Sequence, residues 1–334
     1  MKNIIKLLSL YLGLGLALQA CDDWTIPENK VIQDLDDQHL KSEEYYEKLR
    51  AYKKTSHQLA FGWFGGWSGG SISSRSSLRS IPDSMDIIGL WGSTWSYKEM
   101  NKNKKEDLKF VQEKYGFKVV GTILLGAMGR HLQEGWKPEG ETEREHWTSY
   151  GRAISQMALD AGLDGLDIDY EPGIGGEQVV GCPRGDNFLA FVEGCGELLG
   201  PKSNSKNMLI VDGLFSFPEE CDQYFNYFIS QAYQTSVFEG LDRRFDSMQN
   251  RIKAEQFIVT ENLEKYWSTG GVPFTHPELG QIPSLLGMAY WKPKTGDKGG
   301  CGAYHMEYEY THDPEYKFMR QAIQIMNPAN LNNK

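Results

Sequence analysis

The run Asp164-Gly165-Leu166-Asp167-Ile168-Asp169-Tyr170-Glu171 places four acids within eight residues. Asp167, Asp169 and Glu171 alternate with Leu166, Ile168 and Tyr170. Successive side chains of a strand point to opposite faces, so on a strand these three carboxyls share one face. Neighbours two apart have backbones about 6 to 7 Å from each other. Like charges that near cannot all ionise comfortably, so at least one proton is retained at neutral pH, which suits general acid–base chemistry. A calcium loop would instead space its ligands among Asn, Gly and carbonyl oxygens. Strict interleaving with Leu and Ile points to a buried strand, where unpaired charge is costly and marks function. Asp164 lies an odd number of residues from the other three and reads as structural.

Something must hold this strand in place, and the chain supplies a regular series. Short apolar runs rich in β-branched and aromatic residues occur at Leu59 to Phe64, Met85 to Trp91, Lys118 to Leu125 and Gly165 to Tyr170. Four more follow at Met208 to Leu214, Tyr227 to Tyr233, Gln256 to Thr260 and Leu285 to Trp291. Helical patterns fall between them at Lys104 to Tyr115, Thr142 to Ala161, Asn187 to Leu199 and Asp242 to Arg251, and Asp313 to Met326 closes the series. Strand then helix, repeated eight times, predicts a single-domain (β/α)8 barrel of class α/β, with the acids at the catalytic rim. An open doubly wound sheet would want a glycine-rich phosphate turn leading into a helix. The stretch Phe64 to Gly70 is glycine-rich, but it carries Trp67 and Ser68 and no clear helix follows, so it reads as a loop at the barrel mouth.

The net charge is −10 and the pI about 5.3, which argues against a nucleic-acid or anionic-lipid surface. Aromatic residues make up 12% of the chain, with nine Trp, a composition that fits sugar-stacking surfaces as well as cores. The seven His are scattered and no Cys pair shows CxxC spacing, so neither a metal nor another cofactor is expected. Residues 1–20 have a basic start and an apolar run from Leu7 to Leu18, the layout of a signal peptide too short to span a bilayer. Cys21 follows Leu18-Gln19-Ala20, resembling a bacterial lipobox, so the mature protein is expected to start at a lipidated Cys21. Asp22 and Asp23 resemble the surface-export signals of Bacteroidetes lipoproteins, which would put the domain on the outer face of the outer membrane. Residues 21–56 then form a tether and a leading helix, and residues 57–334 the barrel. Of the remaining cysteines, Cys182, Cys195, Cys221 and Cys301 allow three disulfide pairings, and sequence does not choose among them.

The segment from Asp164 to Glu171 matches the DGxDxDxE pattern and resembles glycoside hydrolase family 18, over roughly residues 57 to 326. The resemblance implies a (β/α)8 barrel with this segment as strand four, and substrate-assisted retaining hydrolysis in which the sugar's own N-acetyl carbonyl is the nucleophile. It further implies Glu171 as proton donor and later base, and Asp169 as the partner of the acetamido N–H and stabiliser of the oxazolinium ion. Asp167 would share a proton or a hydrogen bond with Asp169, tuning the set. The pattern Gln231-Ala232-Tyr233 resembles the endo-β-N-acetylglucosaminidases of the family, whereas its chitinases often carry M-x-Y-D or M-x-Y-N there. Tyr233 would bond to the attacking acetamido carbonyl. Trp291, at the end of the eighth run, would be the floor of subsite −1, and Trp63, Trp67, Trp91 and Trp95 are candidates for outer subsites.

The expected protein is therefore a monomeric endo-β-N-acetylglucosaminidase acting on N-glycans or glycoproteins, touching the membrane only through its N-terminal lipid. A chitinase is the alternative with the same chemistry, and a glycan-binding protein on an inactive barrel is the alternative without it. One sequence does not reveal the preferred glycan.

Overall fold

In the computed structural model, residues 40–70, 74–96 and 98–328 are described. Seven strands follow one another with helical segments between: β1 (Leu59–Phe64), β2 (Ile87–Leu90), β3 (Lys118–Leu124), β4 (Gly165–Tyr170), β5 (Met208–Gly213), β6 (Tyr227–Ser230) and β7 (Phe257–Asn262). A hairpin of β8 (Pro273–His276) and β9 (Gly280–Pro283) intervenes before β10 (Gly300–Tyr304). β10 pairs in parallel with both β7 and β1, which closes an eight-stranded parallel barrel. The fold is a (β/α)8 barrel.

Its interior follows from alternation. Phe61, Trp63, Ile87, Val120, Ile210, Ile229 and Ile258 come from inward positions of six strands and form one buried cluster. Asp167 and Asp169 occupy the inward parity of β4, aligned with Thr122 and Leu124 on β3 and with Ile210 and Asp212 on β5. Several of the helices begin at side-chain caps. Before Glu143–Asp160, Thr142 Oγ1 accepts from the Glu145 N–H at 3.2 Å, and the Glu145 carboxylate accepts from the Thr142 N–H at 2.9 Å. The leading helix, Glu43–Tyr52, docks through Tyr46 stacked on Tyr115 at 5.5 Å and a Glu43–Lys114 ion pair of 2.5 Å.

One predicted strand is corrected. Leu285 to Trp291 lies in and just after the helix Ser284–Tyr290, and the last barrel strand is Gly300–Tyr304. The sequence Ser-Leu-Leu-Gly-Met-Ala-Tyr is apolar but has no β-branched residue, and it follows Pro283, so helix is the local preference. The true strand, Gly-Cys-Gly-Ala-Tyr, carries little apolar signal because its neighbours press close: a Cβ on Gly302 would lie 2.0 Å from the Phe61 carbonyl oxygen. Trp291 consequently sits outside the barrel, 2% exposed, with Phe245 and Phe257 beside it and its indole N–H donated to Asp242 Oδ1 at 2.9 Å. It packs a helix onto the barrel wall, and subsite −1 has no floor from this residue. The sixth run is also shorter than predicted: β6 ends at Ser230, so Gln231 and Tyr233 belong to the loop beyond it.

Candidate active site

Asp167 is fully buried at the base of the site. Its Oδ2 accepts from the Trp63 indole N–H at 2.8 Å and from the Thr122 hydroxyl at 2.9 Å. The indole reaches it across β2 because Gly89 leaves room: a Cβ there would lie 2.8 Å from both the Trp63 ring and Thr122 Oγ1. Burial pushes Asp167 up to about 6, against the two donors, which favour the ionised form.

Asp169 is the next inward acid, 3% exposed, and accepts from the Gln231 amide at 3.4 Å. Burial, then the charges of Glu171 and Asp167, hold it well above the ordinary carboxylate range. Glu171 follows the strand's open end and is half-buried, with its carbonyl taking the N–H groups of Ile174 and Gly175 at 3.1 and 3.3 Å. This short turn fixes the backbone of the outermost acid. Asp164 lies at the opposite end of β4, where it binds Lys118 Nζ at 2.6 Å, the Val119 N–H at 3.0 Å and the Gln112 amide at 2.8 Å. It ties β4 to β3, far along the strand from the three inward acids.

Tyr233 lies near these acids. Burial, then Asp212 and Asp169, raise its phenol well above the usual value, so it stays neutral and keeps a proton to donate. Its backbone is held by the next residue: Gln234 takes a left-handed conformation, φ 59°, and donates its N–H to the buried carboxylate of Glu261 at 2.9 Å. The mouth is completed by Tyr304 at the end of β10, whose ring lies 6.1 Å from Tyr233, 6.1 Å from Trp63 and 5.3 Å from Trp91. Tyr304 and Trp91 stay partly open to solvent. Trp67 and Trp95 do not: each is 2% exposed, with its indole N–H donated to Asp107 and to the Thr122 carbonyl respectively. Trp63 is buried in the barrel as well, which leaves Trp91 as the outer-subsite candidate among the four.

Two members of the site were missed in the sequence. Asp212 on β5 is 1% exposed and stands in register with Asp169. Its signal was available, since Asp212 has the same parity as Ile210 and ends an apolar run. Tyr304 was hidden by the misplaced last strand. Cys182, Cys195, Cys221 and Cys301 are free thiols, three of them buried, and Cys21 lies outside the described residues.

A family model described as glycoside hydrolase family 18, BT1044-like, matches residues 25–325. The chain belongs to glycoside hydrolase family 18. It is 25% identical over 306 residues to endo-β-N-acetylglucosaminidase F2 of Elizabethkingia meningoseptica, covering 84% of this chain and 85% of that protein. The solved structure of a glutamate-to-glutamine form of BT1044 superposes with a TM-score of 0.75 at 29% identity, over 87% of this chain and 95% of that one. An endo-β-N-acetylglucosaminidase from Cordyceps militaris shares the fold, with a TM-score of 0.65 at 22% identity over 88% and 99% of the two chains. These similarities make the chain a family 18 protein resembling endo-β-N-acetylglucosaminidases.

Proposed function

We propose that this family 18 protein is a retaining endo-β-N-acetylglucosaminidase that hydrolyses the β-1,4 bond of the N-glycan chitobiose core by substrate assistance. The observation that carries the reading is the one-sided placement of the acids. Asp167 and Asp169 lie on β4 with Glu171 directly after it, and Asp212 stands on the adjacent β5. Glycosidases that use two protein carboxyls flank the scissile bond from opposite sides, whereas here the nucleophile is supplied by the acetamido group of the substrate. Glu171, at the open end, protonates the leaving oxygen and later takes a proton from water. Asp169 accepts the acetamido N–H and faces the positive charge that develops on the oxazolinium ring. The neutral Tyr233 hydroxyl donates to the acetamido carbonyl as it turns toward the anomeric carbon. The Gln231-x-Tyr233 pattern and the similarity to endo-β-N-acetylglucosaminidase F2 support an N-glycan core over chitin.

Mass spectrometry of products from high-mannose, hybrid and complex glycoproteins and from chitin oligomers tests the reading. Released glycans bearing one reducing-end GlcNAc are expected, formed with the β anomer first by NMR. Chitin oligomers cut faster than every glycoprotein would favour the chitinase alternative. Glu171→Gln is expected to abolish release while glycan binding stays near wild type, and unchanged turnover in that variant would overturn the assignment.

We also propose that the protein acts as a monomer anchored to the outer face of the outer membrane through lipidated Cys21. Fatty-acid labelling that disappears in Cys21→Ala, together with protease sensitivity on intact cells, is the expected result. Labelling that persists in Cys21→Ala would refute the anchor.

A further inference from the structure

Asp212 has no part in the chemistry set out above, yet it is the acid most completely without support. No donor among the described residues meets hydrogen-bond geometry at either of its oxygens, and it is 1% exposed. The Gln231 amide comes near and offsets the rise in its pKa only in part. The groups facing it are Asp169, Asp167 and Glu171 along β4, with Gln231 and Tyr233 from the loop beyond β6, and none of these is a cation. Asp169 is its direct partner in register on the neighbouring strand, and strands in a sheet run about 4.8 Å apart. That pairing brings the two inward carboxyls close enough for one proton to lie between them. Two bare carboxylates at that separation, buried together, repel each other strongly; one proton held between them satisfies an oxygen on each.

We propose that Asp212 is a positioning residue that carries this proton and donates it as a hydrogen bond to Asp169, keeping the other Asp169 oxygen ionised and aimed at the acetamido group of the substrate. The proposal rests on the substrate-assisted reading. The proton stays inside the pair, whose net charge is minus one before, during and after oxazolinium formation, and Asp212 forms no bond to the sugar. The family resemblance implied that Asp167 shares a proton or a hydrogen bond with Asp169. In this chain Asp167 has two neutral donors on one oxygen, from Trp63 and Thr122, that favour its ionised form, while Asp212 has none. Burial and the charge of Asp169 act in the same direction, raising the pKa of Asp212 well above the ordinary carboxylate range.

Infrared difference spectroscopy of the C=O stretch of protonated carboxyls reads the proton directly and needs no turnover. At neutral pH, Asp212→Asn is expected to lose one protonated-carboxyl band that Asp167→Asn retains. A band that persists in Asp212→Asn overturns the proposal, whereas failure of the functional reading appears separately, as a wild-type protein that releases no glycan. Kinetics supply the second arm. Asp212→Leu, which offers no donor, is expected to lower kcat roughly 10- to 100-fold with KM within about threefold of wild type. Asp212→Asn, whose amide still donates to Asp169, should stay within about tenfold of wild type. Equal losses in the two variants would make Asp212 a packing residue and overturn the proposal. Both variants are expected to keep a cooperative melt and a wild-type circular dichroism spectrum, which separates lost positioning from misfolding.

Discussion

Thr122→Val exchanges a buried hydroxyl for a methyl of nearly the same size and removes one of the two donors to Asp167 Oδ2. An unfolded Asp titrates near about 3.9, whereas burial holds Asp167 at about 6 in the fold. Because the folded value is the higher one, the protonated acid favours the native state. That stability is fully present below about pH 4 and is lost as pH rises through about 6, a swing of ~3 kcal/mol for two units. Removing the hydroxyl weakens the ionised form more than the neutral one. A hydrogen bond to a charged group contributes about 1.5–3 kcal/mol, against about 1 for a neutral pair. Thr122→Val is therefore expected to cost ~1 kcal/mol at about pH 5 and ~2 kcal/mol or more at about pH 8, with the folded Asp167 value rising by about one unit. Urea denaturation of both proteins at the two pH values measures this directly. The other buried acids contribute equally to both proteins and cancel in the difference. An identical cost at both pH values would refute the reasoning, because the hydroxyl would then not be supporting a carboxylate.

Asp169→Asn is expected to slow oxazolinium formation more than its hydrolysis, because the anion that faces the developing cation is lost; equal slowing in single-turnover measurements of the two half-reactions would count against that role. Tyr233→Phe should lower kcat by roughly 10²-fold with little change in Tm, since one donor to the acetamido oxygen disappears and the ring remains. Trp291→Ala is expected to behave in the opposite way. Its burial and the bond to Asp242 imply a loss of about 3–5 kcal/mol on chemical denaturation, with kcat/KM unchanged below the melting transition, and a selective loss of substrate affinity would place Trp291 back at subsite −1.

Seven of the eight barrel strands were legible because alternation and β-branched content coincide in them. β1 and β4 were bounded to the residue at Leu59–Phe64 and Gly165–Tyr170. The eighth was not, for a packing reason: Gly300–Tyr304 is wedged between β7 and β1, where small residues are needed, so it lacks the very signal used to find the others. That one error moved the rim aromatic from Tyr304 to Trp291. It shows how a local preference can be right, helix for Leu-Met-Ala, while the topology inferred from it is wrong.

The acids of β4 were legible as a set, and their division of labour only partly so. Alternation along one strand puts Asp167 and Asp169 on a common face, but what each carboxyl meets comes from other strands: Trp63 and Thr122 for the first, Gln231 and Asp212 for the second. Those partners lie between 43 and 104 residues away in the chain, and for Asp167 only the closed barrel brings them within 3 Å. The same closure answers why four acids can be tolerated on one side of the barrel where the groups named as facing them, among the described residues, include no cation. Asp167 has neutral donors, Asp169 and Asp212 can divide one proton, and Glu171 stands at the open end where it is only half-buried. On the proposed mechanism, the charge remaining faces the place where the oxazolinium cation would form. On that mechanism, the negative charge gathered here is offset as the sugar's acetamide becomes a cation, so binding an N-acetylated sugar and stabilising its transition state would draw on the same electrostatic imbalance.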